Sequence, residues 1–239
     1  VICMLKAHGY GAGSVELART LQEQGAAYIA VAVVDEGIEL RRCGITMPVI
    51  VLNPRVYDFH TLFLYDLEPE VYSFDILEKL IAHFEAYDTD VRFPIHLKVD
   101  TGMRRLGFLE EDMPRVAKML SEARHIYAKT IFSHLACADD PSEDDYTLNQ
   151  FAVFGRCYDA LSAALPYHIK RHILNSTGIV RFPEYQYDFV RLGIGLYGVP
   201  TMYDGSMAEL RNVSRLTSTV ISIKHWKKGD TVGYNRRGL

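Results

Sequence analysis

The chain has 239 residues, 49% hydrophobic and 23% charged, the balance of a globular protein with a sizeable core rather than of a disordered chain. Its 26 basic and 30 acidic residues leave a net charge of −4 with no long run of one sign, which argues against nucleic acid as a partner. The longest apolar stretch, Ala26 to Val34, is about half a membrane span, so no transmembrane segment and no membrane partner are expected.

Short Val- and Ile-rich runs alternate with segments of helical period, the pattern of βα units around a parallel sheet. The chain opens on Val1 directly in the first run, Ile2–Lys6, as an excised piece would. Ser14 is placed to cap a helix carrying Leu17, Ala18 and Leu21 on one face, with Gly25 past its end. A strand over Tyr28–Val33 follows, then a helix opened by Asp35 and closed by Gly44. Strands are read at Val49–Leu52, Glu70–Phe74 and Ile95–Val99. Pro114 suits the first turn of a helix over Arg115–Ala123. After a strand at Thr130–His134 comes the longest helix, following Asp145, with Leu148, Phe151, Phe154, Tyr158, Leu161 and Leu165 recurring every three or four residues until Pro166 stops it. Strands at His172–Asn175 and Phe189–Ile194 complete eight, which predicts an α/β fold, a closed (β/α)8 barrel of the TIM type. Beyond Tyr197 the texture changes: Met202–Ser206 reads as loop and Leu216–Lys224 alternates as a strand does. The expected division is a barrel over residues 1–208 and the beginning of a β-rich C-terminal domain over residues 209–239. Cys3, Cys43, Cys137 and Cys157 have no metal-ligand spacing and read as buried thiols of a reducing, cytoplasmic compartment, with no metal expected.

A barrel places its active site at the C-terminal ends of its strands. Lys6 ends the first predicted strand and enters the permissive loop Ala7-His8-Gly9-Tyr10-Gly11-Ala12-Gly13. Lys98 lies in an apolar strand, where an ammonium must be paired, neutralised or chemically modified, and Arg105 follows it with a planar fork suited to a carboxylate. His134, the run Asn175-Ser176-Thr177 and the run Arg191-Leu192-Gly193-Ile194 end the last three strands. Ser176 with the backbone of Gly193 and Ile194 suits a phosphate.

Five stretches together resemble the alanine racemase family: Leu5 to Gly13, Lys98 to Phe108, Ser133 to Asp139, Asn175-Ser176 and Val190 to Gly198. They stand in family order at strand ends. The resemblance implies a pyridoxal 5'-phosphate enzyme of barrel plus β domain that interconverts L- and D-alanine for peptidoglycan precursors, a cytoplasmic homodimer when intact. Lys6 would bond to the cofactor aldehyde and then move a proton on one face of the substrate α-carbon. Tyr10, Asn175, Ser176, Gly193 and Ile194 would hold the cofactor phosphate end, and His134 would pack against the ring. Arg191 would face the ring nitrogen and, keeping its own protons, leave that nitrogen unprotonated. Arg105 would assist at the substrate carboxylate, oriented by Lys98, which carries a carbamate in many members. His8, Gly9 and Arg104 depart from the residues usual at their positions. The second acid/base tyrosine of the family would lie beyond Leu239, so the fragment is expected to be inactive or weakly active. Related readings are a serine racemase, a non-catalytic cofactor-carrying barrel, and a barrel decarboxylase, which usually places an acid where Arg191 stands.

Overall fold

The computed structural model describes residues 1–86, 91–202, 204–207, 209–215 and 217–238. Eight parallel strands form one sheet: β1 (Ile2–Met4), β2 (Tyr28–Val31), β3 (Val49–Val51), β4 (Leu67–Val71), β5 (Phe93–Lys98), β6 (Ile126–Phe132), β7 (Lys170–His172) and β8 (Arg191–Leu192). Neighbours pair in chain order from β1 to β7, and β8 returns to pair with β1 through Ile2 opposite Arg191. The seam between β7 and β8 is joined by backbone bonds, Arg191 N–H to Leu174 O at 3.0 Å and Asp188 N–H to Arg171 O at 3.1 Å, which closes the barrel.

Strand alternation sorts side chains into two layers. Cys3, Leu5, Ile29, Val31, Val49 and Val51 face outward into the large core beneath the helices, whereas Ile2, Met4, Tyr28, Ala30 and Ile50 form a separate apolar cluster within the barrel. On β4 to β8 the interior is polar: Glu68, Glu70, His96, Lys98, Thr130, His172 and Arg191 are all buried.

The helices Ser14–Glu23, Val34–Arg42, Phe74–Glu85, Met113–Glu122 and Asp144–Ala164 cover the sheet. Pro114 lies in the first turn of its helix, where its missing N–H leaves nothing unpaired. Other expectations need correcting. Ser14 does not cap its helix; Gly13 precedes the helix at φ +98°, and the Ser14 hydroxyl meets His8 Nδ1 at 3.2 Å. Strand β4 starts and ends three residues earlier than read, because Ser73 accepts from Ile76 N–H and caps a helix that takes in Phe74. Strand β6 starts at Ile126 and stops before His134. On the longest helix Leu148 is 43% exposed, off the face that buries Phe151, Phe154 and Leu161. Cys43 is exposed, since it closes a helix at the surface before the turn at Gly44.

Of the expected strand Leu216–Lys224, Leu216 lies outside the described residues and 217–224 form no strand. Tyr203 and Ala208, at the expected loop and domain boundary, also lie outside them. Further along, Thr231–Val232 and Arg237–Gly238 pair as a two-stranded antiparallel ribbon. No helix among the described residues is long and apolar enough to cross a membrane.

Candidate active site at the barrel mouth

Chain geometry just after β1 is set by an uncommon turn. Ala7, His8, Gly9 and Tyr10 all have φ between +53° and +63°, one turn of left-handed helix. Left-handed backbone costs an L-residue roughly 1–2 kcal/mol, so three non-glycine residues in sequence need outside support. Glu36 provides part of it, accepting Ala7 N–H at 2.7 Å through Oε1 and Ala32 N–H at 2.6 Å through Oε2. The turn leaves Lys6 exposed at the barrel mouth and swings Tyr10 against Tyr197, ring centroids 4.8 Å apart.

The loop after β5 is shaped in a comparable way. Asp100 Oδ1 accepts Gly102 and Arg104 N–H, each at 2.9 Å, and Oδ2 accepts Arg105 N–H at 3.0 Å, so one carboxylate folds the loop that presents Arg105. Arg104 sits at φ +53°, which explains why glycine suits that position. Arg104→Gly is expected to leave stability unchanged or raise it by up to about 1 kcal/mol, the relieved backbone strain offsetting the extra freedom of the unfolded chain. Urea unfolding checks this, and a loss beyond roughly 0.5 kcal/mol would count against the strain argument.

A cavity of about 440 Å³ opens between these loops. Lys6, Tyr10, Lys98, Arg105, His134, Asn175, Ser176, Arg191, Gly193 and Ile194, every site residue expected from the sequence, line it. Its ionisable walls carry four cations, Lys6, Lys98, Arg105 and Arg191, against the single carboxylate of Glu70, a field suited to an anionic ligand. Glu70 is the residue that sequence reading missed. Its signal was the pair Glu68 and Glu70 at strand spacing, which puts both on one face of β4.

At one end of the cavity, Ser176 Oγ accepts the N–H groups of Gly193 and Gly195, each at 3.1 Å. The expected pair of amides was Gly193 and Ile194, so the serine engages one of them and the next but one. A Cβ added at Gly193 would lie 3.6 Å from Tyr10 Oη and 3.8 Å from Ser176 Oγ, so these groups border one small cradle. Asn175 Oδ1 accepts Gly178 N–H at 2.9 Å and caps the short helix Ser176–Arg181, which supports the cradle and leaves the side-chain NH2 to face the cavity wall.

At the floor, Arg191 is 6% exposed. Its Nη1 donates to His172 Nδ1 at 2.8 Å, and Nη2 to Ser133 O at 2.5 Å and Ile173 O at 2.9 Å. Among the described residues Nε–H makes no hydrogen bond. Burial pushes the guanidinium pKa down to about 10, with Glu70 pulling it back up, so it remains charged at neutral pH. Because Arg191 can only donate, His172 accepts at Nδ1 and directs its Nε2–H to Thr130 Oγ1 at 3.3 Å. Thr130 Oγ1 also lies 2.8 Å from His96 Nδ1, and His96 Nε2–H donates to Glu68 Oε2 at 2.7 Å. Lys129 holds the other Glu68 oxygen at 2.8 Å. Burial alone would raise the Glu68 pKa, but the bonds from His96 and Lys129 outweigh it and hold the group below the usual carboxylate range. A continuous row of hydrogen-bonded groups therefore crosses the barrel interior from Arg191 to Lys129. His134, beside Arg191, is driven down to about 3 by burial and by the cations Arg191, Arg105, Lys98 and Lys6, so it is a neutral imidazole.

Residues 1–201 match the family model described as alanine racemase, N-terminal domain. The chain is 38% identical to the alanine racemase of Clostridium novyi over 99% of its own length and 62% of that protein's. It is 35% identical to the alanine racemase of Sorangium cellulosum over 97% and 61% respectively. Among solved structures, the alanine racemase of Clostridium difficile superposes with a TM-score of 0.85 at 30% identity, covering 99% of this chain and 63% of that one. An alanine racemase from Bacillus anthracis with bound L-Ala-P gives 0.83 at 27% identity, covering 98% and 61%. The chain thus spans about three-fifths of the length of the relatives it matches.

Proposed function

The chain belongs to the family of the alanine racemase N-terminal domain, and on that premise we propose that it is the cofactor-bearing barrel of a pyridoxal 5'-phosphate-dependent racemase interconverting L- and D-alanine. The observation that carries this reading is the convergence, in one cavity, of an exposed lysine, a hydroxyl-and-amide cradle and a buried arginine. The residues fit the cofactor: the cradle of Tyr10, Ser176 and Gly193 suits a phosphate, and Arg191 keeps a donor to spare at the floor.

When bound, pyridoxal phosphate supplies an aldehyde for an amine and a ring that takes up the electron pair left by a departing α-proton. Lys6 offers that amine and, once released from it, removes or returns the proton at one face of the substrate α-carbon. Tyr10, Ser176 and the backbone of Gly193 and Ile194 would hold the phosphate, the Gly193 N–H turning to it from Ser176 Oγ, with Asn175 holding the helix that carries Ser176. The neutral His134, which lines the same cavity, would border the ring without adding charge. Arg191, charged at neutral pH, would hold the ring nitrogen by donating to it without giving up a full proton. A nitrogen so held would make the ring a weaker electron sink, which would favour return of the proton to the α-carbon over transamination. An acid at this position, which a decarboxylase would use, is absent. Arg105 orients the substrate carboxylate from the loop that Asp100 folds.

By the same reading the whole protein works in the cytoplasm, provides D-alanine for cell-wall precursors and pairs as a homodimer. The test is reductive trapping: the chain mixed with pyridoxal phosphate and treated with borohydride is expected to carry its adduct on Lys6. Lys6→Ala should abolish it. Trapping that survives in the variant, or maps to Lys98, overturns the assignment.

A further inference from the structure

We propose that Glu70 is the positioning residue at the substrate end of this cavity, holding Lys98 as an unmodified ammonium and supplying the fixed anion that a carbamate on Lys98 would otherwise provide. The inference rests on the reading of the cavity given above. Glu70 and Lys98 sit at the C-terminal ends of adjacent strands, with Glu70 opposite His96 and Lys98 two residues further along the same face. Both are buried, at 1% and 7% exposure, and Glu70 Oε1 lies 3.0 Å from Lys98 Nζ. Among the described residues that oxygen takes no hydrogen bond, so its burial is compensated by charge, first of all that of Lys98. Burial raises the Glu70 pKa, against the pull of Lys98, Arg191 and Arg105, so the loss of any of these cations falls on a carboxylate with little other support. On the far side, Nζ stands 5.5 Å from the centre of the Phe132 ring, whose face attracts a cation and repels an anion.

Carbamylation would first release one proton from the ammonium to water, then join the amine nitrogen to the carbon of carbon dioxide, move a C=O electron pair onto oxygen and release a second proton from nitrogen to water. A cation would be replaced by an anion. Beside Glu70 that sets two anions in contact in a dry site, where both cannot stay ionised, and it faces the same anion toward the ring of Phe132. Without Glu70 the balance reverses, because Lys98 would then add a cation to Lys6, Arg105 and Arg191 with no carboxylate among them. One anion among these cations meets the need, and here the side chain of β4 is that anion.

Carbon-13 NMR of the chain equilibrated with labelled bicarbonate reads the state of Lys98 directly. The wild-type chain is expected to show no lysine carbamate resonance beyond those remaining in Lys98→Arg. Glu70→Gln is expected to gain one, which disappears again in Glu70→Gln combined with Lys98→Arg. A wild-type resonance that Lys98→Arg removes overturns the proposal, and so does a folded Glu70→Gln chain without one; Glu70→Thr serves if the glutamine variant does not fold. Borohydride trapping at Lys6 on the same samples keeps the two readings apart. Failure there sinks the cofactor assignment and leaves the result for Lys98 standing.

Discussion

Arg191→Leu is expected to destabilise the chain by about 3–5 kcal/mol even without cofactor, the range for breaking a buried charge network by removing one member. The leucine fills much of the space but donates nothing. His172 Nδ1, Ser133 O and Ile173 O would each lose their guanidinium donor in a dry interior. Glu70 would lose one of the cations that offset its burial. Arg191→Lys keeps a charge, yet an ammonium on a single stem cannot reach acceptors on three sides as the planar fork does, so an intermediate loss is expected. Urea unfolding followed by circular dichroism measures both. A loss under about 1 kcal/mol for the leucine variant would mean that the arginine is held for the cofactor alone and contributes little to the barrel.

The barrel was legible because its outward strand faces are uninterrupted: Ile29 with Val31 and Val49 with Val51 sit on the covered side of the sheet. Misreadings fall where the interior is polar. Strand β4 was displaced because Glu68 and Glu70 break its apolar run, while Tyr72-Ser73-Phe74 offers β-formers that in fact start a helix. Strand β6 lost its first half because Tyr127 and Lys129 alternate with buried Ile126 and Ala128. Leu148 shows the limit of a periodic match, since a 21-residue helix over a curved sheet cannot press its whole stripe onto it.

The candidate site residues share one cavity because they stand on strands or in the loops that follow them, and chain order brings those loops together at one mouth of a barrel. Their connections were not legible in the sequence. The contact of Lys98 with Glu70 joins positions 28 residues apart and that of His172 with Thr130 joins positions 42 apart, through the register of neighbouring strands. Periodicity says which face a residue takes, and only register says what it meets there. The left-handed turn was half visible, as three glycines around Tyr10. That Ala7, His8 and Tyr10 themselves take positive φ could not be read from their types.

Between pH 6.5 and 5 the chain is expected to lose about 1–3 kcal/mol of stability, a slope set by buried neutral histidines. His134 has a folded pKa lowered to about 3, and His172 lies well below its ordinary value, both first through burial and then through nearby cations led by Arg191. His83 is shifted the same way by burial. Unfolded, these groups titrate near about 6.5. Below that pH the unfolded chain binds protons that the folded chain refuses, so each shifted histidine contributes stability that is fully present above about 6.5 and is lost as pH falls toward the folded pKa. Glu68, lowered, adds a further loss only in the carboxylate range, and Glu70, raised, works in the opposite sense there. The window from 6.5 to 5 therefore belongs to the histidines. Each contributes at most about 1.4 kcal/mol per pH unit, reduced for His134 by its partial access to solvent. Unfolding in urea at half-unit steps of pH, with proton uptake measured by calorimetry in two buffers, should give one to two protons bound on unfolding near pH 5. His134→Gln should flatten the slope, and a wild-type chain whose stability is level across this window would show that the two imidazoles take up protons in the folded barrel.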